Sequence, residues 1–181
     1  DVVVLALPHG ASGEVARALE ASGDGALIVD VGADFRLENA EDWKKFYGSE
    51  HAGTWTYGLP ELLHEGETTA SAQRALISET RRLAIPGCNV CAVTLALQPG
   101  LGLLDASDVV ATLAVGYSGA GKAAKPHLMA SEALGSAAPY AVGGTHRHIP
   151  EIEQNLARAG FDSPNVSFQP ILVPMSRGIL A

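Results

Sequence analysis

The pattern of apolar and polar positions in the first thirty residues predicts a strand, a helix and a second strand. Residues 2–7 are uniformly apolar, which is typical of a strand buried on both faces of a parallel sheet. A helix is expected to begin near Ser12 as its N-cap and to end at Gly23. A second apolar run at 26–31 then completes a βαβ unit with a right-handed crossover.

The loops after these two strands are candidate ligand-binding segments. In an open parallel sheet, ligands bind beyond the carboxyl ends of the strands. Residues 8–12 and 32–36 come directly after the two predicted strands. We therefore expect both loops at the ligand-binding edge.

The remaining pattern predicts a change of architecture near Cys88. Residues 41–61 are rich in aromatic side chains and are interpreted as a surface excursion packed by its own rings. The other predicted elements are helices at 70–79, 89–97 and 150–159, and strands at 82–85, 109–115 and 166–173. The expected fold class is α/β, with part of a doubly wound parallel sheet at 1–87 and an α+β domain at 88–181.

Composition places the chain among globular proteins. It has 181 residues, 47% apolar and 18% charged, and 12 Lys+Arg against 20 Asp+Glu give a formal charge of −8. Net acidity argues against nucleic acid as a partner, and no run approaches the ~20 apolar residues that span a membrane. Two cysteines three positions apart fit a reducing, cytoplasmic compartment. Because an apolar run begins at residue 2, we expect a fragment of a longer chain, whose exposed sheet favours homo-oligomers.

Cys88 is the strongest candidate for a catalytic residue. It follows a predicted strand and Pro86-Gly87, and it precedes a predicted helix. A helix N-terminus offers free N–H groups and a positive dipole end, which favour a nucleophilic thiolate and can hold an oxyanion. A buried structural cysteine is the alternative. Cys91 completes a C-x-x-C pair that fixes neither redox chemistry nor a zinc site, and we expect it in the core.

Two histidines, His146 and His148, are the candidate proton-transfer groups. In an extended segment they would share a face, with Arg147 pointing away. An imidazole near its usual pKa of ~6.5 can accept and return a proton at neutral pH, so either histidine could serve Cys88 as general base. A polar surface loop is the alternative. No metal is expected, because no recognised ligand spacing is present.

A turn of small residues at 118–122 follows another predicted strand. Such residues let a backbone approach an anion or a cofactor, although the spacing is not that of a P-loop. The cations placed to meet an acidic substrate are Arg36, Lys122, Arg147 and Arg177. Simple solvation is the alternative for each of them.

Seven short motifs follow one another along the chain. They are Pro8-His9-Gly10-x-Ser12, Ala33-Asp34-Phe35-Arg36-Leu37, Tyr57-Gly58-Leu59-Pro60-Glu61, Pro86-Gly87-Cys88, Ser118-Gly119-Ala120-Gly121-Lys122, His146-Arg147-His148-x-Pro150-Glu151 and Pro174-Met175-x-Arg177-Gly178-Ile179. Together, from residue 1 to 181, the chain resembles the N-acetyl-gamma-glutamyl-phosphate reductase family of the semialdehyde dehydrogenase superfamily. The ordered set is specific, although no single motif is.

The resemblance implies a Rossmann-like parallel sheet followed by a catalytic and dimerisation domain. It also implies NADP(H)-dependent reduction of an acyl phosphate, N-acetyl-L-glutamyl 5-phosphate, to N-acetyl-L-glutamate 5-semialdehyde, with release of phosphate, in arginine biosynthesis. Cys88 would form a thioester, and His148 would be the acid–base group, supported by His146 and Glu151. The implied cofactor-binding residues are Pro8, His9, Gly10, Ser12, Ser118, Gly119, Ala120 and Gly121. The implied substrate-binding residues are Arg36, Lys122, Tyr140 and Arg147.

The sequence departs from the family pattern in three places. Asn89-Val90-Cys91 replaces the usual Tyr-Pro-Thr, Lys122 stands where arginine is common, and the Gly-rich dinucleotide fingerprint is missing. We therefore expect residues 1–181 alone to bind NADP(H) poorly. The alternative functions are an aspartate-semialdehyde-dehydrogenase-like reductase, a cysteine hydrolase or acyltransferase without a cofactor, and an inactive oligomerisation fragment.

Overall fold

The residues that the structure describes form two four-stranded sheets, one from each half of the sequence. The computed structural model describes residues 1–23, 25–121, 126, 129–133 and 135–181. Within these residues no helix is long and apolar enough to cross a membrane. The predicted α/β fold class is confirmed.

The first sheet is parallel throughout. Its strands are β1 (Val2–Leu5), β2 (Leu27–Asp30), β3 (Thr56–Tyr57) and β4 (Arg82–Ala84). The helices of this half are α1 (Ser12–Ser22), α2 (Ala40–Tyr47) and α3 (Ser71–Glu79). The strand order is β1-β2-β4-β3, so three loops leave the same carboxyl edge: residues 8–12, 32–36 and 85–87.

The second sheet is mixed. Its strands are β5 (Val109–Val115), β6 (Ala138–Pro139), β7 (Val166–Leu172) and β8 (Ile179–Leu180), in the order β6-β7-β5-β8. The helices of this half are α4 (Cys88–Leu97), α5 (Ala130–Ala133) and α6 (Ile149–Arg158). The two central strands, β5 and β7, are parallel, while β6 and β8 pair antiparallel at the edges.

The largest apolar core joins α4 and α6 to the second sheet. Its fully buried members include Val90, Leu113, Ile152, Leu156, Phe168 and Leu172. Burying each of these larger side chains is worth about 1.5–3 kcal/mol. The core therefore fixes the two helix N-termini, where Cys88 and the 146–151 segment lie.

Helix α6 also binds the segment that follows β2. Gln154 Oε1 accepts the N–H of Glu38 (2.8 Å), and Gln154 Nε2 donates to the Arg36 carbonyl (3.0 Å). Arg158 forms an ion pair with the Glu38 carboxylate. These contacts join residues 116 to 120 positions apart and hold the two halves together.

Two expectations for the first βαβ unit are wrong. Ser12 is the first residue of α1, and Ala11 at the cap position provides no side-chain hydrogen bond. The Ser12 hydroxyl instead donates to Asp30, which lies at the end of β2. Strand β1 is not buried on both faces, because Val2 and Val4 are 63% and 61% exposed.

The aromatic segment at 41–61 is not a surface excursion. Trp43 and Tyr57 are 1% and 3% exposed, and each belongs to a buried cluster. Helix α2 begins after Asn39, whose side chain accepts two N–H groups of the first turn, and it ends at Gly48 in the left-handed region (φ 75°). Trp43, Phe46 and Tyr47 have the i, i+3, i+4 spacing of one helix face, so the sequence carried a signal for this helix that the interpretation as a surface excursion did not use.

Candidate active site

Cys88 occupies the first position of α4, directly after the loop from β4. Its side chain is exposed and its thiol is free. The first backbone hydrogen bond of the helix runs from the Cys91 N–H to the Gly87 carbonyl (3.1 Å), so the N–H groups of Cys88 and Asn89 have no partner within the helix. These groups and the helix dipole are placed to stabilise a thiolate or an oxyanion.

Cys91 lies one turn further along α4. It is half-buried and packs against the cluster of Tyr57, Leu59 and Leu62. Burial, and after it the neighbouring Glu151, raises the pKa of this thiol. Cys91 therefore resists ionisation and belongs to the packing of the helix, as expected from sequence.

His148 packs directly against the residue that precedes Cys88. A β-carbon at Gly87 would come 2.5 Å from His148 Nε2. Burial, with the positive charge of Arg36, lowers the pKa of His148 to about 3. Nδ1 is buried and has no hydrogen-bond partner among the described residues. The imidazole is therefore neutral at physiological pH, and its burial makes it a weaker base than an exposed histidine.

His146 supports His148 from a turn, not from the extended segment that was expected. The two ring centroids are 4.7 Å apart, and His146 Nδ1 accepts the backbone N–H of His148 (3.1 Å). Burial and the neighbouring His148 lower the pKa of His146 to about 3. Because Nδ1 is an acceptor, a neutral His146 carries its proton on Nε2.

Glu151 links three parts of the site. Its Oε1 accepts the hydroxyl of Tyr57 (2.6 Å) and the N–H of Gly87 (3.0 Å), and its Oε2 lies 3.5 Å from Arg36 Nη1. The side chain is 1% exposed and sits in the first turn of α6. Glu151 therefore binds the loop that carries Cys88 without itself facing solvent.

Arg36 is a buried cation, not a solvent-facing one. It is 6% exposed, and Nη2 donates to the Val31 carbonyl (3.1 Å) while Nη1 faces Glu151. The positive charge of Arg36 also lowers the pKa of His148 by electrostatic repulsion of the protonated ring. The structure thus gives this substrate-binding candidate a role in the charge balance of the site.

Arg147 and His9 both contact the ring of Tyr47. The Arg147 guanidinium lies 5.1 Å from the Tyr47 ring centroid, which is cation–π distance, and the His9 ring stands edge-on to Tyr47 at 5.7 Å. Partial burial, with the charges of Arg36 and Arg147, lowers the pKa of His9. A substrate-binding and a cofactor-binding candidate are thereby brought together at the carboxyl edge of the first sheet.

The N-terminus of α1 is occupied by a carboxyl group of the chain itself. Asp34 accepts the N–H groups of Gly10 (2.8 Å) and Gly13 (3.1 Å) with its two oxygens. Those N–H groups are the ones that would otherwise hold a phosphate at a helix N-terminus. The loop after β1 is therefore shaped by Asp34 and does not present a free anion site there.

Among the cofactor-binding candidates of this loop, Pro8, His9 and Gly10 are exposed and can line a ligand. Ser12 is fully buried with its hydroxyl on Asp30. A direct contact between Ser12 and a cofactor is inconsistent with this position, so any contribution of Ser12 comes through Asp30 and the loop.

The turn at 118–121 follows β5 and is anchored to residues 175–178. The N–H of Ser118 donates to the Ser176 carbonyl (3.2 Å), and the N–H of Gly116 donates to the Gly178 carbonyl (2.9 Å). Ser118, Gly119 and Gly121 are exposed, and Ala120 is half-buried. The adjoining candidate Lys122 lies outside the described residues.

Tyr140 lies beside the start of α4. Its ring packs edge-on to His146 at 5.9 Å. Burial raises the pKa of the Tyr140 phenol, the side chain of Asn89 opposes the rise, and Cys88 is close enough to add to it. The structure thus brings Tyr140 together with Cys88, His146 and His148.

Sequence reasoning missed Asp34, Tyr47 and Tyr57 as residues of this region. Asp34 and Tyr57 belong to two of the seven motifs, which was the available signal for both. Tyr47 lies in none of them. Within the described part of the chain, no group of three or more His, Cys, Asp and Glu side chains could hold a metal ion.

The two halves of the chain match two domain models of one family. Residues 1–70 match the semialdehyde dehydrogenase NAD binding domain, and residues 88–181 match the semialdehyde dehydrogenase dimerisation domain. The chain belongs to the semialdehyde dehydrogenase family.

Within this family the chain is similar to proteins named N-acetyl-gamma-glutamyl-phosphate reductase. It is 59% identical to that of Leifsonia xyli subsp. xyli, 55% to that of Micrococcus luteus and 56% to that of Thermobifida fusca, in each case over 100% of this chain. The matches cover 51%, 51% and 50% of those proteins, so the chain spans about half the length of these curated relatives.

Solved structures share the fold at low sequence identity. Aspartate semialdehyde dehydrogenase II from Vibrio cholerae superposes with a TM-score of 0.64 at 16% identity, over 98% of this chain and 53% of that one. The aspartate semialdehyde dehydrogenase of Candida albicans gives 0.57 at 14% identity, over 99% and 48%. These likenesses establish the two-sheet architecture.

Proposed function

We propose that the full-length protein reduces N-acetyl-L-glutamyl 5-phosphate to N-acetyl-L-glutamate 5-semialdehyde and releases phosphate, as a step of arginine biosynthesis. The observation that carries the proposal is the exposed Cys88 at the N-terminus of α4, with the His148 ring packed on the preceding Gly87. The names of relatives at 54–59% identity support this substrate.

In the first step, the Cys88 sulfur attacks the acyl carbon and phosphate leaves, which gives a thioester. His148 is the proposed base that takes the thiol proton, because one nitrogen of its ring faces Gly87, the residue before Cys88. The lowered pKa of the ring opposes this transfer, and the negative charge that forms on the sulfur beside it acts to raise that pKa. The free N–H groups at the start of α4 are placed to hold the oxyanion that forms during attack. The covalent step replaces one difficult reduction by two easier ones.

In the second step, the thioester is reduced. The product aldehyde then departs, and the sulfur of Cys88 is left as a thiolate. A bound nicotinamide cofactor supplies the hydride for this reduction. The proposed substrate contacts are Tyr140, which lies close to Cys88, and Arg147, which lies over the ring of Tyr47. Arg36 offsets the charge of Glu151 inside the site.

The proposed cofactor is NADP(H). The exposed Pro8, His9 and Gly10 at the carboxyl edge of the first sheet fit a cofactor contact, and the small residues of the 118–121 turn fit a second one. Because Asp34 occupies the N-terminus of α1, the cofactor phosphates are proposed to bind elsewhere in the full-length protein.

The full-length protein is further proposed to be a homo-oligomer, because residues 88–181 match a dimerisation domain. A cytoplasmic location is proposed because the two cysteines of this chain, three positions apart, fit a reducing compartment. We also propose that residues 1–87 belong to the cofactor-binding domain and residues 88–181 to the catalytic domain.

The test is an assay of the full-length protein with N-acetyl-L-glutamyl 5-phosphate, in which consumption of NADPH and release of phosphate are followed together. Equal amounts of both are expected, and Cys88→Ser abolishes both. Continued release of phosphate, or continued hydrolysis of the thioester, in the absence of NADPH would instead indicate a hydrolase. Faster reduction of aspartyl phosphate than of the N-acetylglutamyl compound would contradict the proposed substrate.

A further inference from the structure

Tyr57 is a buried tyrosine attached to the strand that leads to Cys88. It pairs with Ala84 in the β3–β4 register, and the N–H of Gly58 donates to the Ala84 carbonyl (2.8 Å). The Tyr57 carbonyl accepts a hydrogen bond from Gln73 Nε2. The backbone of Tyr57 is therefore fixed relative to the end of β4, four residues before Cys88.

The hydroxyl of Tyr57 reaches across to α6. It donates to Glu151 Oε1 (2.6 Å) and accepts from Asn155 Nδ2 (3.1 Å). Glu151 and Asn155 lie one turn apart on α6, and they are 1% and 0% exposed. The same Oε1 accepts two hydrogen bonds, one from the Tyr57 hydroxyl and one from the N–H of Gly87.

We propose that Tyr57, held by Asn155, is a positioning residue that acts through Glu151 on the backbone of Gly87 and so orients the N-terminus of α4 behind the Cys88 sulfur. This inference rests on the proposed role of Cys88 as the nucleophile.

The physical reason lies in how one carboxyl oxygen divides its hydrogen bonds. With Tyr57 and Gly87 both donating to Oε1, the Glu151 side chain has one orientation. Without the phenol, the carboxyl group keeps only Gly87 and the more distant Arg36, so it can turn toward the guanidinium. Gly87 is then less firmly held, and the free N–H groups of α4 align less well with a charge on sulfur.

Tyr57 does not act as an acid or a base. Burial and the adjacent Glu151 raise its pKa well above the usual value, so the phenol remains protonated at neutral pH. It is a permanent hydrogen-bond donor, and phenylalanine is a substitute of similar shape that lacks the donor.

The experiment measures the alkylation of Cys88 by iodoacetamide as a function of pH in the full-length protein, beside steady-state kinetics. For Tyr57→Phe we expect the alkylation midpoint to rise by about one pH unit and kcat to fall about tenfold, with a smaller change in KM. In a Glu151→Gln background, both effects of Tyr57→Phe are expected to shrink severalfold, because the two residues act in one chain of contacts.

Tyr117→Phe is the matched control. The Tyr117 hydroxyl is also buried, but it has no hydrogen-bond partner among the described residues, so its loss is expected to leave the midpoint unchanged. If Tyr57→Phe does not fold, Asn155→Ala is expected to raise the midpoint in the same direction by a smaller amount. A lower melting temperature without any change in midpoint or kcat, or an undiminished effect in the Glu151→Gln background, overturns the proposal.

Because alkylation needs no substrate, the two proposals fail separately. A shifted midpoint in a protein that does not reduce the acyl phosphate supports the positioning role and contradicts the proposed reaction. Normal reduction of the acyl phosphate by the parent protein, together with an unchanged alkylation midpoint in Tyr57→Phe, supports the proposed reaction and contradicts the positioning role.

Discussion

The ring of His148 lies on the backbone of Gly87, so closely that there is no room for a side chain between them. A β-carbon at Gly87 would come 2.5 Å from Nε2 and 2.9 Å from the two adjacent ring carbons. The backbone of Gly87 itself is ordinary (φ −66°) and suits any residue. Glycine is therefore required at this position for space next to the imidazole.

Gly87→Ala is expected to displace the His148 ring and lower kcat at least about tenfold, since general-base catalysis is typically worth 10² or more. Steady-state kinetics of the full-length protein measure this loss. In the double variant Gly87→Ala with His148→Ala, the clash is removed, so the free energy of unfolding is expected to recover relative to Gly87→Ala. Equal stability of the single and double variants would contradict a clash with the ring.

Alkylation at neutral pH is expected to modify Cys88 and to spare Cys91. Cys88 is exposed at the start of α4, whereas Cys91 is half-buried and burial raises its pKa. Mass spectrometry of peptides after brief iodoacetamide treatment measures the ratio. Cys91→Ala serves as control and is expected to keep both the labelling of Cys88 and the activity, while faster labelling of Cys91 would count against the site.

The two buried histidines predict a loss of stability in acid. In the folded protein the pKa values of His146 and His148 are about 3, below the unfolded value of 6.5. The unfolded chain therefore binds more protons between these values, and the free energy of unfolding falls as the pH falls through this window. Each histidine contributes at most about 1.4 kcal/mol per pH unit.

Denaturant unfolding of the full-length protein at several pH values measures this slope, and His148→Gln is expected to flatten it between pH 6.5 and about 3. Packing losses common to all pH values cancel when slopes are compared. A slope that does not change in the variant would mean that His148 is not buried as a neutral ring.

Asp34→Ala is expected to destabilise the protein by about 1–3 kcal/mol, because two N–H groups at the start of α1 lose their acceptor. Thermal or denaturant unfolding measures the change. Asp108→Ala, at an exposed position before β5, is the control and is expected to stay within about 0.5 kcal/mol of the parent. If Asp34→Ala changed the free energy of unfolding as little as the control does, the contacts of Asp34 would contribute nothing to stability.

Local sequence signals were sufficient for most of the fold. The apolar runs predict β1, β2, β5 and β7, and the position of Cys88 after Pro86-Gly87 predicts the strand–turn–helix setting that the structure has. Strand β8 could not be predicted, since two residues carry no period and pair only because β5 presents an edge. The Ser12 cap failed because a serine hydroxyl can also donate to a partner distant in sequence, here Asp30.

The candidate site was less predictable, because its connections are tertiary. The sequence places Glu151 near two histidines. Nothing local indicates that its carboxyl group accepts a hydrogen bond from the hydroxyl of Tyr57, 94 positions away. Burial of Arg36 depends on that same carboxyl group. Cations and carboxylates were therefore interpreted as substrate contacts or supporting groups, when the structure makes them partners of one another.

Helix α6 couples the thermal unfolding of the two family domains. Gln154 and Arg158 bind the segment after β2, and Glu151 of the same helix binds the loop from β4. Neither sheet can lose its order while the other keeps these bonds intact. Heating is therefore expected to produce one calorimetric transition rather than two. A protease cut at residues 65–70, in the loop between β3 and α3, would leave the pieces associated.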